Sequence, residues 1–473
     1  MKHLFKKTVL ASLLMAVAPA YATNGSFLPG FGVKSLGAGG VGIAMQADTL
    51  SQVANPANAA HTGMRIDMGF SLFNPERKAA TGSATDLPGE PDADFDGIND
   101  ETGYPLSGFG VFNTASESGN RFFLMPDMGF TLPLSERLSL GIAVTGAGGG
   151  NTGYKENIFG IANSQVPNGS TTSYVGVDLI QLIVPVTLAY KLNEQHSVGV
   201  SLNLAAQRFK ANGLGQYGSY RGGLGFGISA DQRHLTNNGY DYSYGAGVKL
   251  GWLGKFIDDR VSIGATWASK TYMTKFDQYR GLFAEQGDFD IPENYGIGLA
   301  IKPIQSLTVA FDVVKIKYSG VASISNPGPG TYGGSGINES IISNTLIGPF
   351  NNGPLQVGND QGMGFGWKDM TVYKLGFIYD VNEDLALRMG YNYGKSPVRN
   401  DQLAFSSLAP GIVEKHYSVG FTKKIKGDLD WEVSGAYMYV PENTQEGCGQ
   451  AVVGCVSFSM KQQVFGVGFG VQY

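Results

Sequence analysis

Apolar residues alternate with small or polar ones along the last segment of the chain. Phe465, Val467, Phe469, Val471 and Tyr473 interleave with Gly466, Gly468, Gly470 and Gln472. An extended chain points successive side chains to opposite faces, so this segment predicts a strand with one aromatic, apolar face and one small or polar face. The pattern recurs upstream. Trp431, Val433, Gly435, Tyr437 and Tyr439 alternate with Glu432, Ser434, Ala436 and Met438. Leu385, Leu387, Met389, Tyr391 and Tyr393 alternate with Ala386, Arg388, Gly390 and Asn392, and Tyr373, Leu375, Phe377 and Tyr379 with Lys374, Gly376 and Ile378. Leu307 to Val313 starts in phase and slips at Val313-Val314, where a bulge or the membrane boundary would explain it. Aromatic outer faces on strand after strand, with an aromatic last residue, predict lipid-facing strands of a transmembrane β-barrel.

Two kinds of connection separate these strands. Short polar turns lie near Pro133–Arg137, Leu192–His196, Gly254–Arg260, Lys302–Ser306, Asp380–Asp384 and Ile425–Asp430. Long loops rich in Gly, Asn and Pro lie near 75–119, 149–172, 212–238, 275–292, 320–366, 395–412 and 441–458. Six short turns alternating with seven long loops give fourteen antiparallel strands, from about Met64–Phe73 to about Lys461–Tyr473. Both ends of the barrel then fall on the short-turn, periplasmic side. A soluble sandwich or propeller would need neither this asymmetry nor the repeated aromatic faces. The barrel therefore spans 61–473.

One stretch refuses the pattern. Residues 23–60 are apolar and glycine-rich, with Gly37, Gly39 and Gly40 near the start and Asn55-Pro56-Ala57 near the end, and they follow neither strand nor helix periodicity. Glycine raises the cost of ordering a chain, so such a segment needs enclosure by something else. A hatch inside the barrel lumen satisfies that need. Residues 1–22 read as a secretory signal: Lys2, Lys6 and Lys7 precede the apolar Val9 to Val17, and Ala20-Tyr21-Ala22 ends in small residues. The apolar run is too short for a membrane anchor.

Composition narrows the partners. The 473 residues include 69 Gly and 50 Tyr or Phe, and only 15% are charged, which suits strands and turns better than helices. Net charge is −5, and −8 once the three signal lysines are gone, with no basic patch for nucleic acid. Cys448 and Cys455 stand close together in a chain read as exported, so a local disulfide is expected. Asp92, Asp94, Asp96 and Asp100, with Gly97 for a turn, resemble the start of a calcium loop, although Gly103 stands where a bidentate Glu would be. A structural Ca²⁺ is one reading and a solvated acidic loop tip the other; no other cofactor is expected.

Several blocks resemble the FadL/TodX-type outer-membrane transporters of long-chain fatty acids and other hydrophobic compounds. They are Lys34-Ser35-Leu36-Gly37-Ala38-Gly39-Gly40, Asn55-Pro56-Ala57, Gly281-Leu282-Phe283-Ala284-Glu285, Phe289-Asp290-Ile291-Pro292-Glu293-Asn294-Tyr295-Gly296, Gly364-Phe365-Gly366-Trp367-Lys368-Asp369-Met370 and Ser396-Pro397-Val398, in that order along nearly the whole mature chain. The resemblance implies a fourteen-stranded barrel with residues 23–60 folded as a hatch. It implies first capture of ligand on the third and fourth long loops, where Leu214, Tyr217, Tyr220, Leu224, Phe226 and Ile228 crowd one loop, and Phe276, Tyr279, Leu282 and Phe283 follow roughly helical spacing in the other. Packing of the loops on each other is the alternative.

The resemblance also points to Arg208 and Lys368 as cations that would meet a ligand carboxylate at the mouth of an apolar pocket. A lumen charge paired with Asp or Glu is the other reading. In the third strand, Gly146, Gly148, Gly149 and Gly150 weaken ladder pairing, and the family's strand kink would place a lateral gate there. The start of a flexible outer loop is the alternative. The expected function is passive uptake of a long-chain fatty acid, with an aromatic or alkane hydrocarbon channel as the close alternative and a general porin as a remoter one. An enzyme is not expected, because the histidines fall in separate places: His3 in the signal, His61 and His196 on the periplasmic side, His234 and His416 in or near different outer loops. The remaining expected partners are the lipid and lipopolysaccharide of the outer membrane, and a monomer is expected.

Overall fold

The computed structural model describes residues 24–82, 114–156, 158, 174–215, 229–328, 354–426, 430–450 and 454–473. The chain forms a closed antiparallel barrel of fourteen strands. In order they are β1 (Arg65–Gly82), β2 (Phe123–Pro133), β3 (Leu138–Asn151), β4 (Gly176–Lys191), β5 (His196–Asn212), β6 (Asp241–Phe256), β7 (Val261–Ala268), β8 (Asn294–Ile304), β9 (Leu307–Ile316), β10 (Met370–Asn382), β11 (Leu385–Gly394), β12 (Lys415–Ile425), β13 (Asp430–Gln450) and β14 (Gly454–Gln472). Two short segments, Thr114–Glu117 and Tyr272–Met273, add to the ladders of β1 and β6. Each strand pairs with its chain neighbours, and β14 closes on β1 with Arg65 opposite Gln472.

The period-two pattern sorts side chains as expected. Phe465, Val467 and Phe469 are exposed, as are Met68, Phe70 and Leu72 on β1 and Val200, Leu202 and Leu204 on β5, each between 36% and 48%. These form the lipid-facing band. The short turns are closed by their own side chains. Asn193 Oδ1 accepts from the N–H of Gln195 and His196 at 2.9 and 2.7 Å, and Asn382 Oδ1 accepts from Asp384 and Leu385 at 3.0 Å each.

Four local expectations need correction. β1 runs past Phe73 to Gly82, and β14 begins at Gly454 rather than Lys461. The segment read as a seventh long loop is thus mostly paired β13–β14 hairpin, with Thr444 opposite Ser459. No bulge sits at Val313-Val314: β9 stays in unbroken register with β10. The fourth loop holds no single amphipathic helix. It makes a 3₁₀ turn at Asp277–Tyr279, then a separate short turn at Ala284–Gly287 in which Glu285 and Gln286 have φ of 53° and 55°. Left-handed backbone there ends any helix.

Residues 24–61 pack against inward-facing positions all round the wall. The hatch comprises α1 (Val33–Gly37), α2 (Ser51–Ala54) and a 3₁₀ turn (Pro56–His61). Gly39 and Gly40 take φ of 72° and 84°, a left-handed pair that turns the chain back so that the Gly40 N–H reaches Ser35 O at 2.8 Å. The wall meets the hatch with glycine: a Cβ on Gly376 would stand 2.7 Å from Ala38 O, and one on Gly251 2.8 Å from Pro56 Cδ. Asn55 explains its own motif. Its Oδ1 accepts from Ala57 N–H at 3.1 Å as a cap, while its Nδ2 donates to Ile43 O at 2.8 Å and Trp252 O at 2.9 Å. Pro56 follows at the first position of the turn, where no donor is lost.

Candidate functional site

Above the hatch lies an apolar cavity of about 1110 Å³, open space at its mouth included. Three sources build it. The inner faces of β4 and β5 give Val177, Leu179 and Phe209; the outer loops give Leu214, Leu235, Leu282, Phe283, Phe289, Phe365 and Trp367; the hatch gives Gly25 and Ser26. Phe209 anchors the aromatic side, with ring centroids 4.7 Å from Phe283 and 4.8 Å from Tyr279. Among the described residues, Arg77 is the ionisable group on the cavity lining, and it is buried to 1% exposure. Its guanidinium donates to the backbone oxygens of Asn151 and Asn120.

The floor is the leading segment of the hatch. Tyr318 fixes it: the phenol donates to Asn24 O at 2.7 Å and accepts from Ser26 N–H at 2.8 Å, and its ring meets Trp367 edge-on at 5.3 Å. Beside this segment the barrel wall is incomplete. β2 pairs with β1 as far as Phe123, and β3 continues to Asn151, yet the β2–β3 ladder stops at Met128 opposite Val144. Pro126 has no N–H to offer a neighbour at this point. On the other side of β3, Gly146 faces Leu182 and Gly148 faces Gln181, so Ala147 is an extra residue in a bulge. The backbone of Phe27 bridges to Gly148, and Gly149 N–H donates to Ser26 O at 3.2 Å. The wall gap, the bulge and the leading segment therefore meet. A further opening of about 490 Å³, open space included, lies there, lined by Leu28, Pro29, Gly30, Met125, Pro126, Asp127, Thr145 and Gly146.

Charge holds the rest of the hatch. Lys34 donates to Ala47 O at 2.9 Å and pairs with Glu432, which also pairs with Arg65; Arg65 in turn holds Asp67 at 2.7 Å. Asp67 accepts from Thr49 N–H at 2.9 Å, and Asp312 from Gly42 and Ile43 N–H at 2.8 and 3.1 Å. In the fourth loop, burial, reinforced by Asp290 and Glu285, pushes the Asp288 carboxyl up to about 6. Burial also works on Asp231, but bonds from His234 and Arg280 outweigh it and hold that carboxyl below its ordinary range.

A sequence model of the family described as outer membrane protein transport protein (OMPP1/FadL/TodX) matches residues 15–473. The chain belongs to this family. Among solved structures, a FadL homologue of Pseudomonas aeruginosa matches with a TM-score of 0.63 at 16% identity, covering 95% of this chain and 99% of that one. The toluene transporters TodX of Pseudomonas putida and TbuX of Ralstonia pickettii follow at TM-scores of 0.60 and 0.57 and 16% and 15% identity, each covering 94% of this chain and 99% of its own. No curated protein matches the chain.

Within this FadL/TodX barrel the expected site residues separate. Leu214, Leu282 and Phe283 line the cavity, whereas Phe276 is fully buried beside them, 5.8 Å from Phe283 between ring centroids. Tyr217 and Phe226 lie outside the described residues, as do Asp92, Asp94, Asp96 and Asp100 and the side chains of Cys448 and Cys455. The two cations expected at the ligand head group are not in the cavity. Arg208 shares strand parity with the lipid-facing Val200, Leu202 and Leu204, so it points away from the lumen; it pairs with Asp178 at 3.5 Å and lies 4.3 Å over the Tyr240 ring. Lys368 is exposed, tied by its backbone N–H to Pro397 O at 2.9 Å. The sequence reading passed over Arg77 because it fell inside a segment assigned to a loop. Pro126, a proline within a strand, was a readable sign of the broken ladder.

Proposed function

We propose that this FadL/TodX-family chain is an outer-membrane channel for passive uptake of long-chain fatty acids: the outer loops capture the ligand, the apolar cavity holds it, and it leaves sideways through the gap between β2 and β3. The observation that carries the reading is the contact of that cavity with the interrupted ladder through hatch residues 24–30. Sequestering each methylene of a long tail stabilises by roughly 0.8 kcal/mol, so an apolar cavity with few polar contacts binds such a ligand well. A sideways exit delivers it to lipid, without the cost of crossing water. A wide general porin fits less well, because the hatch fills the lumen. Residues 1–22, read from the sequence as a secretory signal, fit export to the outer membrane.

A monoaromatic hydrocarbon is the second reading, favoured by the toluene transporters among the similar structures and by the scarcity of charge on the cavity wall. The test is uptake of labelled oleate and of toluene into cells lacking their own channels of this family, with and without this chain. Oleate entry that depends on the chain supports the proposal. Chain-dependent toluene entry with no oleate entry overturns it in favour of the hydrocarbon, and dependence of neither overturns both.

A further inference from the structure

A second cavity, of about 910 Å³ with open space included, lies on the other side of the leading hatch segment, and nothing in the uptake route described above uses it. Gly25 and Ser26 face the outer cavity, whereas Asn24 and Phe27 face this inner one. Its apolar wall includes Phe27, Phe31, Ile43, Ile183, Ile291 and Val314. Unlike the outer cavity, it carries three ionisable side chains on inward strand positions, Lys249 of β6, Lys374 of β10 and Asp312 of β9, the last bonded to the hatch N–H groups of Gly42 and Ile43.

The two lysines are not equivalent. Lys374 stands opposite Asp312 in the β9–β10 ladder and donates to Pro29 O at 2.6 Å and Gly40 O at 3.1 Å. Lys249 is 9% exposed and donates to Val53 O at 2.6 Å, and among the described residues no carboxylate lies within ion-pair distance of it. An ammonium has three hydrogens to donate. A buried cation with one carbonyl partner is costly, and a charge placed inside a membrane protein marks the path of what that protein handles.

We infer that Lys249, with Lys374 beside it, forms an inner station for the anionic head of an amphiphile, a carboxylate in the first instance, whose tail lies along the apolar wall of the same cavity. The inference rests on the uptake reading above and sharpens it. A neutral hydrocarbon gains nothing from Lys249, whereas an acid gains a charge-assisted hydrogen bond in a dry site.

The test uses the full purified barrel in non-ionic micelles, with 12-bromododecanoate and 12-bromododecan-1-ol as probes. Crystals of the wild type soaked in each are read at the bromine edge, and equilibrium dialysis counts the classes of bound probe. The acid is expected in both cavities, its head at Lys249 in the inner one. Lys249→Met should weaken the inner class for the acid about tenfold or more and leave the alcohol unchanged, and Lys249→Arg should retain the acid. Acid found in the outer cavity alone, or acid and alcohol weakened equally by Lys249→Met, overturns the inner station while leaving the uptake reading in place. Neither probe bound anywhere in the wild-type barrel overturns both. The bromine position in the wild type decides the matter even if a variant fails to fold.

Discussion

At the scale of single residues, the lumen depends on what is missing from side chains. Gly390 on β11 is one such position: the hatch backbone at Ala38 and Gly39 occupies the space a Cβ would need. Gly390→Val should push that segment off the wall at a cost of roughly 1–3 kcal/mol. The readout is single-channel conductance, which should rise as the hatch lifts; unchanged conductance would mean that the hatch absorbs the added bulk. Asp288 offers a test through pH. Its carboxyl is raised from 3.8 to about 6 in the fold, so the native loop holds more protons than the unfolded one between those values. Loop stability therefore falls as pH climbs through that window, and the penalty is complete above about 6. Asp288→Asn should slow hydrogen exchange across 276–288 at pH 7.5 and change nothing at pH 4. Equal effects at both pH values would rule out this origin. Residue direction was legible wherever parity was followed. Lys374 falls between Tyr373 and Leu375 and faces the lumen, while Arg208, six positions on from Leu202, must point away from the lumen whatever the analogy suggests.

At the scale of elements, the strands were legible because lipid on one side and a packed hatch on the other enforce strict alternation, as in Phe465 to Tyr473. Strand ends were not. The outer halves of β1 and β13 each pair with β14 beyond the lipid band, where the pattern inverts: Val456, Phe458 and Met460 are buried on the inner face, while the polar Ser457, Ser459 and Lys461 alternate with them on the outer one. Loop aromatics showed in composition, but their joining onto Phe209 is a long-range contact that no local spacing encodes. In β3 the glycine run marked the place of the irregularity and the pairing supplies its form, a single extra residue at Ala147. Deleting Ala147 should bring β3 and β4 into continuous register and pull Gly148 off the Phe27 bridge. Uptake should then fall by at least about tenfold, a barrier change of roughly 1.4 kcal/mol, with equilibrium binding in the outer cavity preserved. Uptake at the parent rate in a variant that still binds ligand would argue that ligand does not leave beside β3.

At the scale of the whole molecule, the hatch divides into two parts held in different ways. From α1 onward it is fixed by buried charge, through Lys34 to Glu432 and by Asp312 on Gly42 and Ile43, and by Asn55 on Trp252. Residues 24–30 are held by neutral bonds from Tyr318, by one bridge to Gly148 and by Lys374 on Pro29, and three cavities abut them. Breaking a buried ion pair leaves a charge stranded, whereas releasing a neutral hydrogen bond costs about 1 kcal/mol, and Lys374 keeps Gly40 O when it lets Pro29 O go. Motion should therefore be confined to the leading segment, with α1 as a fixed base. A cross-link can separate this from ejection of the entire hatch. A Cβ on Gly468 would stand 3.2 Å from Val33 Cβ, near the separation a disulfide spans, so Val33→Cys with Gly468→Cys should bridge α1 to β14 under oxidation. The bridged protein should take up ligand at close to the parent rate. Tyr318→Phe, which removes the hydroxyl holding Asn24 and Ser26, should instead raise the rate of entry several-fold. If the cross-link abolishes uptake and reduction restores it, the whole hatch must leave its seat. The charged anchors would then be the latch that ligand has to undo.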